Sequence, residues 1–389
     1  EGQYSTGPAE TDTFPLGNHR VYGGFFGIEN ARFERGIFSA NPAILEGDLG
    51  GGQFSRRIVT KNVLGEAVLD GFFIQNGRSP GGQDGPAIHV SLGLLHLQNC
   101  MIQSNRSSRH GGAAYYTGGV LPGQVIRDCI FFQNQATNRA GAIDFDSQSR
   151  LELYGCIFDG NRAGSDMGGA LRAQGPVTIE NCIFSGNRCF TDGGAARIQG
   201  NHGKDPAFRS MIRDSLFVDN RAEDANPNGG GDQGGALWFE NGSARIENCG
   251  FTNNFAGLEG GAIRFGPGVD GGSSISNSTF TGNVAEWEDG GAIFVDLNEN
   301  SATGFAVIGC VFESNTARLM GGAFHGLEAQ IGYRFIDSVF DNNRSYEQEG
   351  GAIKLEGNNN FRGALIDGCT FSGNRSDNGG GAVQTTVRT

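Results

Sequence analysis

The sequence predicts an all-β fold, a right-handed single-stranded parallel β-helix of about eleven coils with an N-terminal cap. A short motif recurs about every thirty residues, its apolar runs are only a few residues long, and Gly, Asn and Asp separate those runs. Because these three residue types favour turns and interrupt helices, the unit must be built of short strands. A unit this small cannot bury its own apolar face, so successive units are expected to stack.

Each unit contains the same positions in the same order. The unit begins with an apolar residue, which is followed by a position that holds Asn, Asp or Gly. A Cys or Ser comes next, two residues before a Phe, as in IENCIFSGNRCFTDGGAA. An Asn follows three residues after the Phe, and Gly-Gly-Ala follows the Asn. Three short strands and three corners are therefore expected in each coil.

The Phe position predicts an aromatic stack. Equivalent residues of stacked parallel coils lie about 4.8 Å apart, so identical side chains should lie on one another in the core. Ile102 takes the first place in this series. The predicted phenylalanine ladder is Phe131, Phe158, Phe184, Phe217, Phe251, Phe280, Phe312, Phe340 and Phe371.

The Asn position predicts a buried corner, because an amide can bond its own turn and the next coil. Gly-Gly then supplies a second corner, where a positive φ or the close approach of two coils would exclude a Cβ. The predicted asparagine ladder is Asn105, Asn134, Asn161, Asn187, Asn220, Asn254, Asn283, Asn315, Asn343 and Asn374.

Seven of the eight cysteines lie two residues before the Phe position, where Ser replaces them in three units. This exchange indicates a small buried residue, and parallel neighbours in register fit disulfide geometry poorly. We therefore predict free, buried thiols. Cys189, which lies off this position and near Cys182, is the exception.

The pattern divides the chain into a cap over residues 1–62 and repeats over residues 63–389. The first coil would place Gly71, Phe73, Asn76 and Ala87 at the Cys, Phe, Asn and Ala positions. The preceding residues lack the motif and are predicted to cover the open first coil. At the other end the sequence stops inside a Gly-Gly-Ala strand, so we expect either a further domain or stacking on another copy.

The composition limits the partners. The chain has 29 Lys and Arg against 42 Asp and Glu, a formal net charge of −13, which argues against nucleic acid as the main partner. Its apolar runs are far shorter than the roughly eighteen residues that span a bilayer, so no transmembrane segment is expected.

One outward position could carry binding residues. It lies two residues after the Ala of Gly-Gly-Ala and supplies the candidates Tyr115, Arg172, Arg197, Trp238, Arg264, Phe294 and His325. The competing interpretation is a solvated, charged face of the rod. Asp144 and Asp146, beside Arg172, form a weak Ca²⁺ candidate, although no third carboxylate accompanies them and the arginine would oppose the cation. Neither a catalytic cluster nor another cofactor is predicted.

A second outward position is mostly aliphatic. It follows the Cys or Ser and comprises Met101, Ile130, Ile157, Ile183, Leu216, Gly250, Thr279, Val311, Val339 and Thr370. Strand alternation predicts an exposed stripe, and such stripes usually meet a partner. The alternative is that the coil bends here and buries these side chains.

The FxxN and GGA[ILV] motifs, as in FSGN…GGAA, FTNN…GGAI and FESN…GGAF, recur together from about residue 100 to 383. In this respect the chain resembles the passenger domains of chlamydial polymorphic membrane proteins and the wider class of secreted bacterial parallel β-helix proteins. The resemblance implies an extracellular or cell-surface protein, typically an adhesin with a β-helical body.

We therefore predict a non-catalytic structural or adhesive surface protein, with a subunit of a surface filament as one form of it. The alternatives are a polysaccharide lyase or glycoside hydrolase, or a glycan-binding module, on the same fold. The expected partners are other copies of the chain, in head-to-tail or lateral contact, and a host or matrix surface.

Overall fold

The computed structural model describes residues 2–5, 13–24, 43–118, 123–200, 209–223, 231–269, 272–297, 304–327, 332–357 and 363–387. These residues form short strands joined by turns. They include no helix long and apolar enough to cross a membrane. The strands form four parallel sheets that run along the stack of coils, and a typical coil contributes one strand to each sheet. Sheet 1 follows Gly-Gly-Ala, sheet 2 precedes the Cys or Ser, sheet 3 contains the Phe, and sheet 4 follows the Asn.

The strands of the four sheets have the following bounds. Strands Val59–Asp70 and Ile88–Gln98 run through both sheet 1 and sheet 2. Sheet 1 also contains Phe14–Pro15, Ala114–Thr117, Ile143–Asp146, Leu171–Ala173, Ala196–Ile198, Leu237–Gly242, Ile263–Val269, Ile293–Leu297, Phe324–Leu327, Ile353–Gly357 and Val383–Val387. Sheet 2 also contains Arg20–Tyr22, Gln124–Arg127, Leu151–Tyr154, Val177–Glu180, Ser210–Arg213, Ala244–Glu247, Ser274–Ser276, Phe305–Ile308, Tyr333–Ile336 and Ala364–Asp367. Sheet 3 contains Gly2–Ser5, Ala43–Glu46, Phe72–Gln75, Met101–Gln103, Ile130–Phe132, Ile157–Asp159, Ile183–Ser185, Leu216–Val218, Gly250–Thr252, Thr279–Thr281, Val311–Glu313, Val339–Asp341 and Thr370–Ser372. Sheet 4 contains Arg78–Ser79, Arg106–Ser107, Gln135–Ala136, Arg162–Ala163, Arg188–Cys189, Arg221–Ala222, Phe255–Ala256, Val284–Ala285, Thr316–Ala317, Arg344–Ser345 and Arg375–Ser376. Asp48–Gly50 and Gln53–Phe54 form a separate antiparallel pair.

Strands of successive coils pair in parallel, and like residues meet like residues, as where Phe158 pairs with Phe184. Sheet 4 has eleven strands among the described residues, in agreement with the predicted number of coils. The all-β parallel solenoid predicted from the repeat is therefore confirmed. The two-residue strands of sheet 4 were not predicted, because a pair of residues after each Asn carries no periodicity of its own.

The phenylalanine ladder forms the predicted stack through the core. Its ring centroids lie 4.6–5.1 Å apart from Phe131 to Phe371, and neighbouring ring planes differ by only 1–8°. The rings from Phe131 to Phe340 are fully buried, and Phe371 is partly buried against the same core. The constant spacing therefore lets identical rings fill the interior at van der Waals contact.

The asparagine ladder satisfies the corners in one repeated way. Each side-chain Nδ2 donates to the Oδ1 of the next asparagine at 2.9–3.1 Å, from Asn105 to Asn374. The backbone N–H of the same residue donates to that Oδ1, and Nδ2 also donates to a backbone carbonyl of the preceding coil, as from Asn161 to Phe131 at 2.9 Å. Buried amide groups are thus paired, which removes the cost of orphaned donors at each corner.

Glycine is required at the Gly-Gly corner for two separate reasons. Gly168 has a φ of +75°, which L side chains rarely adopt, and a Cβ on Gly169 would collide with the carbonyl oxygen of Gly194. Both reasons follow from the tight stacking of one coil on the next.

The register assigned to the first coil is wrong by one residue. Ile74, rather than Phe73, pairs with Ile102, which also places Phe72 at the Cys position. Phe72 and Ile74 are buried whereas Phe73 is half-buried. Gly77, rather than Asn76, occupies the asparagine position, where its N–H donates to Asn105 Oδ1 at 2.8 Å. The predicted position of Ala87 stands, since Ile88 pairs with Ala114.

The predicted boundary at residue 62 lies within the strand Val59–Asp70. Parallel pairing continues on its N-terminal side, where Ala43–Glu46 pairs with Phe72–Gln75 and Gly2–Ser5 pairs with Ala43–Glu46. Residues 25–42 of the predicted cap lie outside the described residues. A cap over residues 1–62 remains a prediction.

The seven cysteines at the position before the Phe are free thiols; six of them are buried, as predicted from their exchange with Ser, whereas Cys369 in the last coil is half-buried. Cys189, the exception by position, is also free and lies buried with Ala163 and Ala222 in a small cluster behind sheet 4.

Candidate functional site

The binding residues predicted from the sequence lie on the outer surface of sheet 1. Their side chains leave the sheet opposite the core residues Ile143 and Phe145. Parallel pairing brings them together in one column, here called the sheet-1 column. Its members are Tyr115, Asp144, Arg172, Arg197, Trp238, Arg264, Phe294, His325, Lys354 and Gln384.

The sheet-1 column points outward, yet most of it is buried. Asp144 has no exposed surface, Arg172 is 3% exposed and His325 is 1% exposed. Arg197, Arg264 and Phe294 are also buried, whereas Tyr115 and Trp238 are half-buried. The alternative of a solvated charged face is therefore wrong. The reason is that neighbouring turns and side chains cover this surface with carboxylates.

The first ion-paired group in the column is centred on Arg172. Its Nη1 donates to Asp144 Oδ1 at 2.7 Å and to Asp146 Oδ1 at 2.9 Å. The hydroxyl of Tyr115 donates to Asp146 Oδ2 at 3.2 Å, and Arg139 Nε lies 3.5 Å from Asp144 Oδ2. Arg172 thus stands where a cation bridging the two carboxylates would sit. Asp144 and Asp146, the Ca²⁺ candidate of the sequence, instead form ion pairs with Arg172.

Burial raises the pKa of Asp144 to about 6, although the guanidinium groups of Arg172 and Arg139 act in the opposite direction. Desolvation disfavours the carboxylate more than its ion pairs favour it. The group is therefore able to take up a proton in mildly acidic surroundings.

The middle of the column combines ion pairs with aromatic rings. Arg197 forms an ion pair with Glu240 and lies 4.8 Å from the centre of the Trp238 ring. Arg264 Nε donates to Glu259 Oε2 at 2.9 Å, and its guanidinium lies 5.2 Å from the centre of the Phe294 ring. Each of these two guanidinium groups is therefore paired with a carboxylate and lies beside an aromatic ring of the same chain.

The last part of the column also lies against carboxylates. His325 Nδ1 lies 3.2 Å from Asp289 Oδ2, and Lys354 forms an ion pair with Glu349. Lys354 Nζ also donates to Thr386 Oγ1 at 2.7 Å. Within the described ranges, no three His, Cys, Asp or Glu side chains are grouped closely enough to hold a metal ion.

The residues that close this surface were missed in the sequence. Glu259, Asp289 and Glu349 each stand directly before the Gly-Gly of a coil, as Asp192 does. The turn carries the first three over the outer face of sheet 1, toward the column. The sequence shows Asp or Glu directly before Gly-Gly in these coils. Whether such a carboxylate covers sheet 1 depends on the direction of the turn, which the sequence pattern does not indicate.

The aliphatic position on sheet 3 behaves differently. The ten residues at this position, from Met101 to Thr370, are here called the sheet-3 stripe. Their side chains point away from the phenylalanine stack. Leu216 is 48% exposed and Ile183 is 37% exposed. Val311 and Val339 are exposed as well, whereas Met101, Ile130 and Ile157 are half-buried. The alternative that the coil bends and buries this position is therefore wrong.

The members of the stripe form one column because they pair in register. Ile183 pairs with Leu216, and Val311 pairs with Val339. Between them lie Gly250 and Thr279, so the line of aliphatic side chains has a shallow gap near its middle. A flat sheet surface with a row of exposed aliphatic groups is suited to contact with another surface rather than to chemistry.

Two family models match the chain. Residues 87–265 match the right-handed β-helix region, and residues 368–386 match the Chlamydia polymorphic membrane protein repeat. Searches of the curated proteins and of the solved structures found no match. These matches agree with the right-handed parallel β-helix fold, and they confirm the resemblance to polymorphic membrane proteins that rests on the FxxN and GGA motifs.

Proposed function

We propose that this chain is a non-catalytic, surface-associated β-helical rod that makes structural or adhesive contacts through the sheet-3 stripe. The match to a polymorphic membrane protein repeat supports a surface or outer-membrane association. The observation that carries the contact role is the exposure of Ile183, Leu216, Val311 and Val339 in one column. Exposed apolar rows on soluble proteins commonly mark interaction sites.

The partner that best fits the stripe is a second copy of the same chain. A column of repeated aliphatic groups can be complementary to itself when one copy is rotated by a twofold axis. Along one flank of its central part, the neighbouring positions are the uncharged residues Ser185, Val218, Thr252 and Thr281. Two chains that each carry a net charge of −13 can therefore approach there with less repulsion than elsewhere.

A polysaccharide-active enzyme is the weaker alternative. Such an enzyme needs carboxylates that are open to a substrate. In the sheet-1 column, Asp144 is fully buried and ion-paired with Arg172. No described feature favours catalysis over contact.

Analytical ultracentrifugation over a range of concentrations tests the proposed contact. We expect the parent to dimerise and the double variant Ile183→Ser/Leu216→Ser to remain monomeric. Ile308→Ser is the matched control, because Ile308 is also 37% exposed but lies on sheet 2. It should associate like the parent.

Binding to cultured cells and to extracellular matrix, measured with the same variants, separates the two forms of contact. A monomeric parent whose matrix binding is lost in the double variant would support adhesion and overturn self-association. A monomeric parent that binds neither surface would overturn the contact role. The predicted head-to-tail association is not addressed by these variants and remains a prediction.

A further inference from the structure

Sheet 4 carries a positively charged column that the overall acidity of the chain conceals. The residue directly after the ladder asparagine is Arg in six coils, and three of these coils are consecutive. Arg162 pairs with Arg188, and Arg188 pairs with Arg221. The backbone positions of the three arginines are therefore one strand spacing apart, about 4.8 Å, on one face of the coils.

The fold does not require arginine at this position. Other coils place Gln135, Phe255, Val284 and Thr316 there, with the same parallel pairing on either side. Like charges one strand apart repel each other by about 1 kcal/mol even in water-like surroundings. Three consecutive arginines are thus a local cost that stacking alone does not explain.

Two of the three arginines have no counterion among the described residues. Arg162 and Arg188 are exposed and form no ion pair within the part of the chain that the structure describes. Arg221 differs, because its Nε lies 2.8 Å from the carboxylate of Glu223. The pair of Arg221 and Glu223 therefore shows that a carboxylate can bind at this column.

The three arginines border a concavity. A cavity of about 250 Å³ is lined by Arg162, Ala163, Arg188, Cys189, Phe190, Arg221 and Glu223. Ala163 and Cys189, which also line the cavity, are small and buried, whereas Arg162 and Arg188 are exposed beside it. A guanidinium presents a planar set of donors that matches carboxylates and sulfates.

We propose that this column, the sheet-4 arginine site, binds an acidic polysaccharide through successive carboxylate or sulfate groups. A linear glycan presents its anionic groups at regular intervals along an extended chain, as the column presents its cations. The site lies on a different face from the sheet-3 stripe, so the proposal does not depend on the proposed contact function.

Single-stranded nucleic acid is less favoured as the ligand. Binding of that class relies on open aromatic faces on which bases stack. Here the guanidinium of Arg221 lies 4.0 Å from the centre of the Phe255 ring, and that of Arg162 lies 5.5 Å from the centre of the Phe190 ring. The neighbouring rings are thus occupied by the arginines themselves.

Isothermal titration calorimetry at low salt tests the site, with a heparin hexasaccharide, hexagalacturonate, neutral dextran and a short single-stranded DNA as probes. We expect heparin or galacturonate to bind, dextran not to bind, and affinity to fall as salt is added. Arg162→Gln/Arg188→Gln should weaken binding by about tenfold per arginine, as expected for lost charge-assisted hydrogen bonds. Because Gln135 already occupies this position in another coil, the variant should fold normally, which its thermal unfolding will show.

Two further variants sharpen the result. Glu223→Gln should tighten binding several-fold, because it removes the competing carboxylate from Arg221. Arg344→Gln is the control, since Arg344 has the equivalent position but forms an ion pair with Asp377. Its affinity should equal that of the parent. The proposal would be overturned by an absence of binding to both acidic glycans, by binding of DNA alone, or by equal binding of the parent and the double variant.

Discussion

The outer faces of sheet 1 and sheet 3 belong to the same coils but have opposite surroundings. On sheet 1 most outward residues are charged, and Arg172 and Asp144 are nevertheless buried. On sheet 3 most outward residues are aliphatic, and Leu216 and Ile183 are nevertheless exposed. The direction of a side chain from a strand therefore does not determine its exposure. What determines it is whether neighbouring turns and side chains cover that face.

The largest expected effect is that of Arg172→Met, which keeps much of the side-chain volume but removes the charge. Asp144 would remain buried without its closest partner, and loss of one member of a buried ion pair typically costs about 3–5 kcal/mol. Denaturant unfolding at pH 8 measures this loss. The loss should shrink at pH 5, where Asp144 can take up a proton, and an equal loss at both values would contradict the argument.

An effect of intermediate size is expected from Asp144 on the pH dependence of the free energy of unfolding. The pKa of Asp144 is raised from 3.8 to about 6 in the folded chain, so the folded state binds this proton more tightly than the unfolded state. The resulting stabilisation is present below pH 3.8 and is lost as pH rises through 6. It amounts to about 3 kcal/mol at most.

Asp144→Asn isolates that contribution, because other carboxylates also titrate in this range. The unfolding free energy of the parent, minus that of the variant, should fall between pH 4 and pH 7. A difference that stays constant over this range would show that Asp144 titrates normally.

The smallest expected effect is that of Leu216→Ser on the stability of the monomer. Because Leu216 is 48% exposed, the change in the free energy of unfolding should stay within about 0.5 kcal/mol. Phe217→Ala is the matched comparison on the same strand, since Phe217 is fully buried and its truncation should cost about 3–5 kcal/mol. Similar losses of unfolding free energy in the two variants would mean that Leu216 and Phe217 do not lie on opposite faces of sheet 3.

The features that repeat in every coil were predictable from the sequence. The phenylalanine and asparagine ladders follow from one residue type at a constant spacing, because parallel stacking places such residues on one another. The first coil was assigned a wrong register, because Phe72, Phe73 and Ile74 are all apolar and alternation alone could not decide whether Phe73 or Ile74 points inward.

The surroundings of the candidate sites were less predictable. The burial of Arg264 depends on Glu259, five residues earlier, reaching back over the strand, which is a matter of turn direction. The arginines of sheet 4 were overlooked because each lies on a strand of only two residues. Their meaning appears only when Arg162, Arg188 and Arg221 are brought together from three coils.

The asparagine ladder also bears on how the chain folds. Successive members are separated by as few as 26 residues, from Asn161 to Asn187, and by as many as 34, from Asn220 to Asn254. Each new coil therefore closes a loop of nearly constant length onto the coil already formed, and folding can spread from any nucleus. Lengthening a loop from 26 to 34 residues raises the closure entropy cost by only about 0.2 kcal/mol. The connections between ladder positions can consequently change in length and composition at little thermodynamic expense, while the ladder keeps each coil in register.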